Sequence, residues 1–267
     1  MKRAHGRDIG ELRERELAVE MRIDEGEHAF QWHVFETTRA AIPSDAPSDG
    51  VHIGLMTLAK LPQPFAASNI DPIGYSELDG RPAFKMAIRE VQGRWYLYTG
   101  HFWDSGWSVI DVTDPTAPEV LTFVAGPANM ATLQVDLAGD TMVTMVTSLE
   151  KILPGFGGDP DAPFDEGVLI WDISDPINPR QRGHFFTGGT GTHRNLYAGG
   201  QYMHLAAGMA GYDGNIYVIV NIYVIVNISD PTHPVEAGRW WVPGQHTAAG
   251  ETPAEPYVSL HGPPSLA

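Results

Sequence analysis

Residues 188–234 read GGTGTHRNLYAGGQYMHLAAGMAGYDGNIYVIVNIYVIVNISDPTHP. The stretch behaves as one unit of a repeat. A strand opens with Thr192-His193-Arg194-Asn195, turns at Gly199-Gly200 and returns from Gln201 to Ala207. A glycine-rich loop leads to a third strand, which ends in Ser229-Asp230-Pro231. That third strand is dense in β-branched residues, which fit a pleated sheet, and the glycines between strands supply turns. Two earlier segments close in the same way, at Asp114-Pro115-Thr116-Ala117-Pro118 and at Asp175-Pro176-Ile177-Asn178-Pro179.

The repeated D-P-x-x-P has a mechanical meaning. An aspartate side chain can accept hydrogen bonds from backbone amides just ahead of it. The first proline presets a turn φ and the second stops strand continuation. The aspartates lie 61 and 55 residues apart. Short strands recurring over a period of roughly 40–50 residues are the signature of propeller blades, with loop insertions lengthening some of them.

Working outward, Phe84–Val91, Trp95–Tyr98, Gly106–Val112 and Glu119–Val124 form a first set of strands. Ala131–Leu137, Met142–Thr147, Gly167–Ile173 and His184–Thr187 form a second. Val235–Val242 completes the third, and a further cycle starts near Tyr257. The expected fold is all-β, a β-propeller of four-stranded antiparallel blades forming an incomplete ring. The blades run over about 81–128, 129–188 and 189–245, with the start of a next one over 246–267. A propeller closes on itself to leave no sheet edge open. The chain is therefore expected to be the N-terminal part of a longer protein, with open blade edges prone to self-association.

Residues 1–50 differ in character and are expected to be a mobile arm and linker ahead of the partial propeller over 51–267. Glu11–Glu25 is rich in Glu, Arg and Leu and suggests a short exposed helix, followed by a linker at Ser44–Gly50.

The chain has 267 residues, with 29 Gly, 21 Pro and a formal net charge of −16. The breaker content favours many short elements over long helices. The acidity argues against nucleic acid or an anionic membrane as partner, since both require Lys and Arg clusters. There is no cysteine, so disulfides, thiolate metal sites and a cysteine nucleophile are excluded. A disulfide-free chain with no apolar signal segment fits the cytoplasm. No run approaches the roughly 20 apolar residues that cross a bilayer. The hexapeptide Asn215–Val220 is followed by an identical copy over Asn221–Val226, which reads as a recent tandem duplication or a sequence artefact and not as a functional element.

Three segments carry a family resemblance: Ile110-Asp111-Val112-Thr113-Asp114-Pro115, Trp171-Asp172-Ile173-Ser174-Asp175-Pro176 and Val226-Asn227-Ile228-Ser229-Asp230-Pro231. With an aliphatic strand before each and a glycine turn in each unit, they resemble the LVIVD-repeat β-propeller family of bacterial and archaeal proteins. The resemblance spans about residues 81–264. It implies a propeller, and it implies a histidine early in the inner strand of a repeat. His193 matches that position, and His261 in Ser259-Leu260-His261-Gly262 is its counterpart in the fourth unit. Met86 and Leu133 fall at about that position in the first two.

In a four-stranded meander the start of the first strand and the loop between the second and third lie at one end. That end collects His193, Arg194, His261, the loop Thr99-Gly100-His101-Phe102-Trp103-Asp104, the insertion Leu149–Glu166 and the loop Gly208–Gly214. It is the default place for a ligand, at the mouth of a central channel. Arg194, His101, Trp103 and Asp104 are the candidate ligand-binding residues, and Arg194 can clamp a carboxylate or form a salt bridge between blades. His193 and His261 are candidate ligands for one transition metal, Cu, Fe or Zn. Against that stands a channel whose histidines simply hydrogen-bond. His204 is expected to pack between blades. The acidic Gly157–Glu166 stretch reads as a solvated loop, with Ca²⁺ binding as its alternative. Trp103, Trp107, Trp240 and Trp241 line a ligand mouth or fill the wedges between blades.

Two functions follow. One is a scaffold that binds a small molecule or a protein partner at the channel-mouth face. The other is a metal-dependent oxidase or lyase, with His193 and His261 as metal ligands, His101 as further ligand or general base, and Arg194 as anion clamp. No G-x-S-x-G, P-loop or dinucleotide fingerprint is present, so the catalytic residues of an enzyme stay unassigned.

Overall fold

The computed structural model describes residues 17–23, 30–36, 72–101, 104–148, 161–213, 222–252 and 262. The chain divides into two units, Met1–Val51 and His52–Ala267. In the first, strands β1 (Leu17–Ile23) and β2 (Phe30–Glu36) pair antiparallel, with Leu17 opposite Glu36 and Ile23 opposite Phe30. The helix expected over Glu11–Glu25 is corrected here. Leu17, Val19, Met21 and Ile23 alternate with Ala18, Glu20 and Arg22, a period of two that belongs to a strand.

Among the described residues the second unit contains twelve further strands in three four-stranded antiparallel sheets, each a simple meander. Blade 1 is β3 (Ala83–Val91), β4 (Arg94–His101), β5 (Gly106–Asp111) and β6 (Glu119–Ala125). Blade 2 is β7 (Val135–Ala138), β8 (Thr141–Val146), β9 (Gly167–Asp172) and β10 (Arg180–Phe185). Blade 3 is β11 (Gly191–Leu196), β12 (Tyr202–Gly208), β13 (Ile222–Asn227) and β14 (Val235–Trp240). This is the expected all-β, propeller-type architecture with a ring that does not close among the described residues. Among those residues no helix is long and apolar enough to cross a membrane.

Two strands differ from expectation. β7 is shortened to Val135–Ala138, because the register shifts between it and Ala131, which pairs again with Thr147 beyond β8, while Thr132 bridges to His101 of blade 1. β10 starts at Arg180, earlier than His184. Its Arg-Gln-Arg start is polar because that stretch of the outer strand is exposed, so it lacks the apolar signal of the inner strands. Of the duplicated hexapeptide, the second copy supplies β13, and residues 214–221 lie outside the described residues.

The D-P-x-x-P turns form as their chemistry predicts. Asp114 Oδ1 accepts the Thr116 amide at 3.0 Å, Asp175 Oδ1 the Ile177 amide at 3.2 Å and Asp230 Oδ1 the Thr232 amide at 2.9 Å. A second set lies three residues earlier. Asp111, Asp172 and Asn227 accept the amides of Thr113, Ser174 and Ser229 at 2.8, 3.0 and 2.8 Å. Each closure is thus a double turn held by side-chain oxygens, which pins the third strand to the fourth.

The core lies in the wedges between blades. Tyr96, Tyr98, Trp107 and Val109 of blade 1 pack with Val135, Met142, Val146, Leu169 and Trp171 of blade 2. Trp107 meets Trp171 edge-on at 5.2 Å, and Trp171 Nε1 donates to Thr144 Oγ1 at 3.0 Å. Val143, Val168, Ile170 and Phe185 of blade 2 pack with Met203, Leu205, Ile222, Val224 and Val226 of blade 3. Each such side chain contributes roughly 1.5–3 kcal/mol through burial, so the interfaces between blades, more than the sheets themselves, hold the unit together.

Candidate functional site

The three blades can be aligned by strand pairing alone. Asp111, Asp172 and Asn227 pair with Tyr96, Thr141 and Tyr202 on the second strands. Three residues further on, Thr99, Thr144 and Leu205 pair with Met86, Val135 and Asn195 on the first strands. The residues just before these, Lys85, Gln134 and Arg194, therefore occupy one register level. All three line a single cavity of about 310 Å³, together with Phe84, Asn195, Leu196 and Gly262. First-strand residues of all three blades, or the segment leading into them, thus converge on one polar collar. The inner strands are tied at this point, because the Lys85 amide donates to Leu133 O at 3.1 Å.

One level earlier lie Phe84, Leu133 and His193. Phe84, not Met86, is thus the blade 1 equivalent of His193, because a bulge between Ala83 and Met86 shifts the register. β11 carries the same irregularity between Thr192 and Asn195.

The collar has a mixed charge. Lys85 Nζ donates to Asp136 Oδ1 at 2.7 Å. Burial raises the Asp136 pKa, and the hydrogen bond and charge of Lys85 offset only part of that rise. Arg194 is exposed, and Gly262 packs against its side chain, with a Cβ there lying 3.3 Å from Arg194 Cβ. Thr192 Oγ1 donates to Gly167 O at 2.8 Å and so accepts from Asn195 Nδ2 at 2.9 Å. That orientation leaves Asn195 Oδ1 buried without a hydrogen-bond partner. Its amide is consequently fixed, with its acceptor uncommitted.

The expected site residues separate into groups. Arg194 lines the cavity. His193 is half-buried on β11, one residue before it. His101 is fully buried inside blade 1. Its Nδ1 lies 3.2 Å from Pro82 O and its Nε2 2.7 Å from Ser108 Oγ. The Pro82 carbonyl can only accept, so Nδ1 carries the proton and Nε2 accepts the Ser108 hydroxyl. Burial lowers the His101 pKa, and the hydrogen bond to Pro82 O and the charge of Asp104 offset only part of that fall. The ring is neutral and committed on both nitrogens. Asp104 is half-buried in the loop between β4 and β5. Trp103 and His261 lie outside the described residues, as does most of the Leu149–Glu166 insertion. Among the described residues, no group of three or more His, Asp or Glu side chains is placed to hold a metal ion.

Glu166 departs from its reading as part of a solvated loop. It is only 7% exposed, and its carboxylate accepts from the Thr187 and Gly188 amides at 2.8 and 2.7 Å. It staples the entry of β9 to the exit of β10. His204 Nδ1 bonds the Tyr223 hydroxyl at 2.6 Å with the two rings stacked. Trp107 fills a wedge, Trp241 packs against the core between blades 2 and 3, and Trp240 is exposed.

The sequence signals that were missed are Lys85, Gln134 and Asn195. Only strand register shows that Lys85, Gln134 and Arg194 share a level.

Comparison with known proteins gives one family match, the LVIVD repeat, over residues 212–241. The chain carries that repeat. No curated protein matches. Among solved structures the chain is similar to Bombyx mori GH32 beta-fructofuranosidase BmSUC1, at 11% identity and a TM-score of 0.35. That match covers 62% of this chain and spans 38% of the other. A likeness so distant carries no argument about activity.

Proposed function

From a propeller-type chain carrying the LVIVD repeat, we propose a scaffold that binds a small anionic molecule at the channel mouth, in the collar formed by Lys85, Gln134 and Arg194. The carrying observation is that these three residues occupy one register level on three blades and line one cavity of about 310 Å³. In a chain of net charge −16, two cations converging on one cavity form a local exception. Arg194 offers a planar fork suited to a carboxylate or phosphate, and Lys85 adds a second positive charge. Gln134 and Asn195 supply amide groups that can read hydroxyl or carbonyl neighbours of the anionic group. His101 takes no part, since both of its ring nitrogens are engaged.

The test is a thermal-shift and calorimetry screen of small carboxylates and phosphates against the wild-type chain, Arg194→Ala and Gln134→Leu. A ligand at about 100 times its Kd stabilises the folded state by about 2.7 kcal/mol. Saturable binding that both substitutions abolish supports the proposal. Binding that survives both, or a screen in which no anion binds, rejects it.

A further inference from the structure

Gln134 stands between Lys85 and Arg194 in blade order, and it is the most deeply placed of the three. It is 3% exposed, yet it lines the collar cavity. Its backbone carbonyl accepts the Met145 amide at 3.1 Å. Among the described residues nothing hydrogen-bonds its side-chain amide, and that amide is not one of the polar groups sealed from solvent. Its two ends therefore open into the cavity, an NH2 donor beside a C=O acceptor. A buried amide left without a partner is costly, so the site calls for a group that completes it.

The charges around that amide are partly balanced. Lys85 and Arg194 supply two positive charges, and Asp136, 2.7 Å from Lys85 Nζ, cancels one of them. Among these groups one positive unit remains. It matches a single carboxylate and falls short of a phosphate monoester, which carries about −1.5 to −2 at neutral pH. Phe84 and Leu196 add an apolar wall to the same cavity. A pocket of this make-up takes a mainly apolar ligand fixed by a few placed polar groups.

We propose, building on the anion-binding reading above, that the ligand is a 2-hydroxy monocarboxylate with an apolar tail. Its carboxylate meets Arg194, and Gln134 bridges two neighbouring oxygens. Gln134 Nε2 donates to a carboxylate oxygen, while Gln134 Oε1 accepts the hydroxyl proton from the adjacent carbon. That pairing uses both ends of the amide at once. A 2-oxo acid cannot do the same, because either orientation of the amide sets Oε1 against another acceptor. A 2-amino acid brings a donor, but as an ammonium beside two cations. The tail lies along Phe84 and Leu196.

The experiment is isothermal titration calorimetry at neutral pH, with circular dichroism to confirm that each variant is folded. The probes are phenyllactate and matched compounds that each change one feature. Phenyllactate is expected to bind the wild-type chain at least about tenfold more tightly than phenylpropionate, which lacks only the hydroxyl. Its O-methyl ether, phenylpyruvate and phenylalanine are expected to fall with phenylpropionate. Lactate, which lacks the ring, is expected to be weaker than phenyllactate by a similar factor. Phenylethyl phosphate is expected to bind more weakly than phenyllactate, and Asp136→Asn to narrow that gap by adding a net positive charge. Gln134→Leu is expected to remove the tight binding of phenyllactate. Phenylpropionate or phenylethyl phosphate bound as tightly as phenyllactate, and lost in Arg194→Ala, overturns the ligand class while the anion site stands. A chain that binds none of these anions overturns both. Equal affinity for the O-methyl ether, phenylpyruvate or phenylalanine overturns the bridging role of Gln134, as does a phenyllactate affinity that Gln134→Leu leaves unchanged.

Discussion

Asn227 Oδ1 accepts the backbone amide of Ser229 at 2.8 Å, and so repeats with an uncharged side chain the bond that Asp111 makes with Thr113. Blade 3 therefore shows that the turn needs the oxygen and not the charge. Asp111→Ala is expected to lower stability by about 1 kcal/mol, the usual net worth of such a bond. Asp111→Asn is expected to lose clearly less, with only the ion pair to Arg94 removed. Urea unfolding of the two variants side by side measures the difference.

Acid should loosen the closures. Hydrogen bonds from Thr113, with Arg94 adding to them, depress the Asp111 pKa to about 2. Asp114 is lowered by Thr116, Asp172 by Ser174, Asp175 by Asn178 and Asp230 by Thr232. A carboxylate held below its unfolded value stabilises the fold fully above that value and loses the contribution as pH falls through the folded pKa. The urea midpoint is expected to be flat from neutrality to about pH 5 and to fall steadily between about pH 4 and pH 2. Asp111→Asn is expected to shallow that fall. A midpoint that stays level down to pH 2 would show that the turns do not carry this linkage.

Gly183→Ala is expected to cost about 1–3 kcal/mol, the ordinary range for forcing an extra carbon into a filled space. The added Cβ has only a backbone carbonyl, Pro231 O, in its way, and backbone yields less readily than a side chain. Gly238→Ala, at the register equivalent in β14, where a Cβ meets nothing within 4 Å among the described residues, is expected to be neutral. Thermal melts separate the two. Equal losses would show that the Pro231 contact is not what restricts Gly183.

Anion binding in the collar should strengthen with acid. Burial keeps Asp136 above the ordinary aspartate range. Protonating it releases Lys85 from its carboxylate partner, so affinity for a small anion rises as pH falls through the Asp136 pKa. Asp136→Asn is expected to bind more tightly at neutral pH and to lose the pH dependence. Calorimetric titrations at neutral and mildly acidic pH, in both chains, decide it.

The blades were legible because each local signal agreed with the others. The D-P-x-x-P turn, the glycine turn before the second strand and the apolar third strand all recur, and all act over a few residues. Legibility failed where the deciding contact lay outside the strand. β7 shortens where its register shifts and Thr132 bridges to His101 in the neighbouring blade. His101 looked like a loop histidine, whereas Ser108 across the β4–β5 hairpin engages its Nε2 at 2.7 Å and closes it off. Arg194 was visible as an exposed cation beside His193. Lys85 was not, since its place beside Gln134 and Arg194 depends on a bulge that shifts β3 by one position. Glu166 was misread because an acidic run predicts solvent on average, and only the Thr187 and Gly188 amides set it apart.

The shared register of Lys85, Gln134 and Arg194 also separates recognition from architecture. None of the three is among the apolar wedge residues, and each stands at the same geometric address on its own blade; Lys85 alone also ties blade 1 to blade 2, through Asp136. The collar can therefore be rewritten one blade at a time, as letters in a short word. A combinatorial library at these three positions, with Asp136 varied alongside Lys85, would explore new ligands on an unchanged frame.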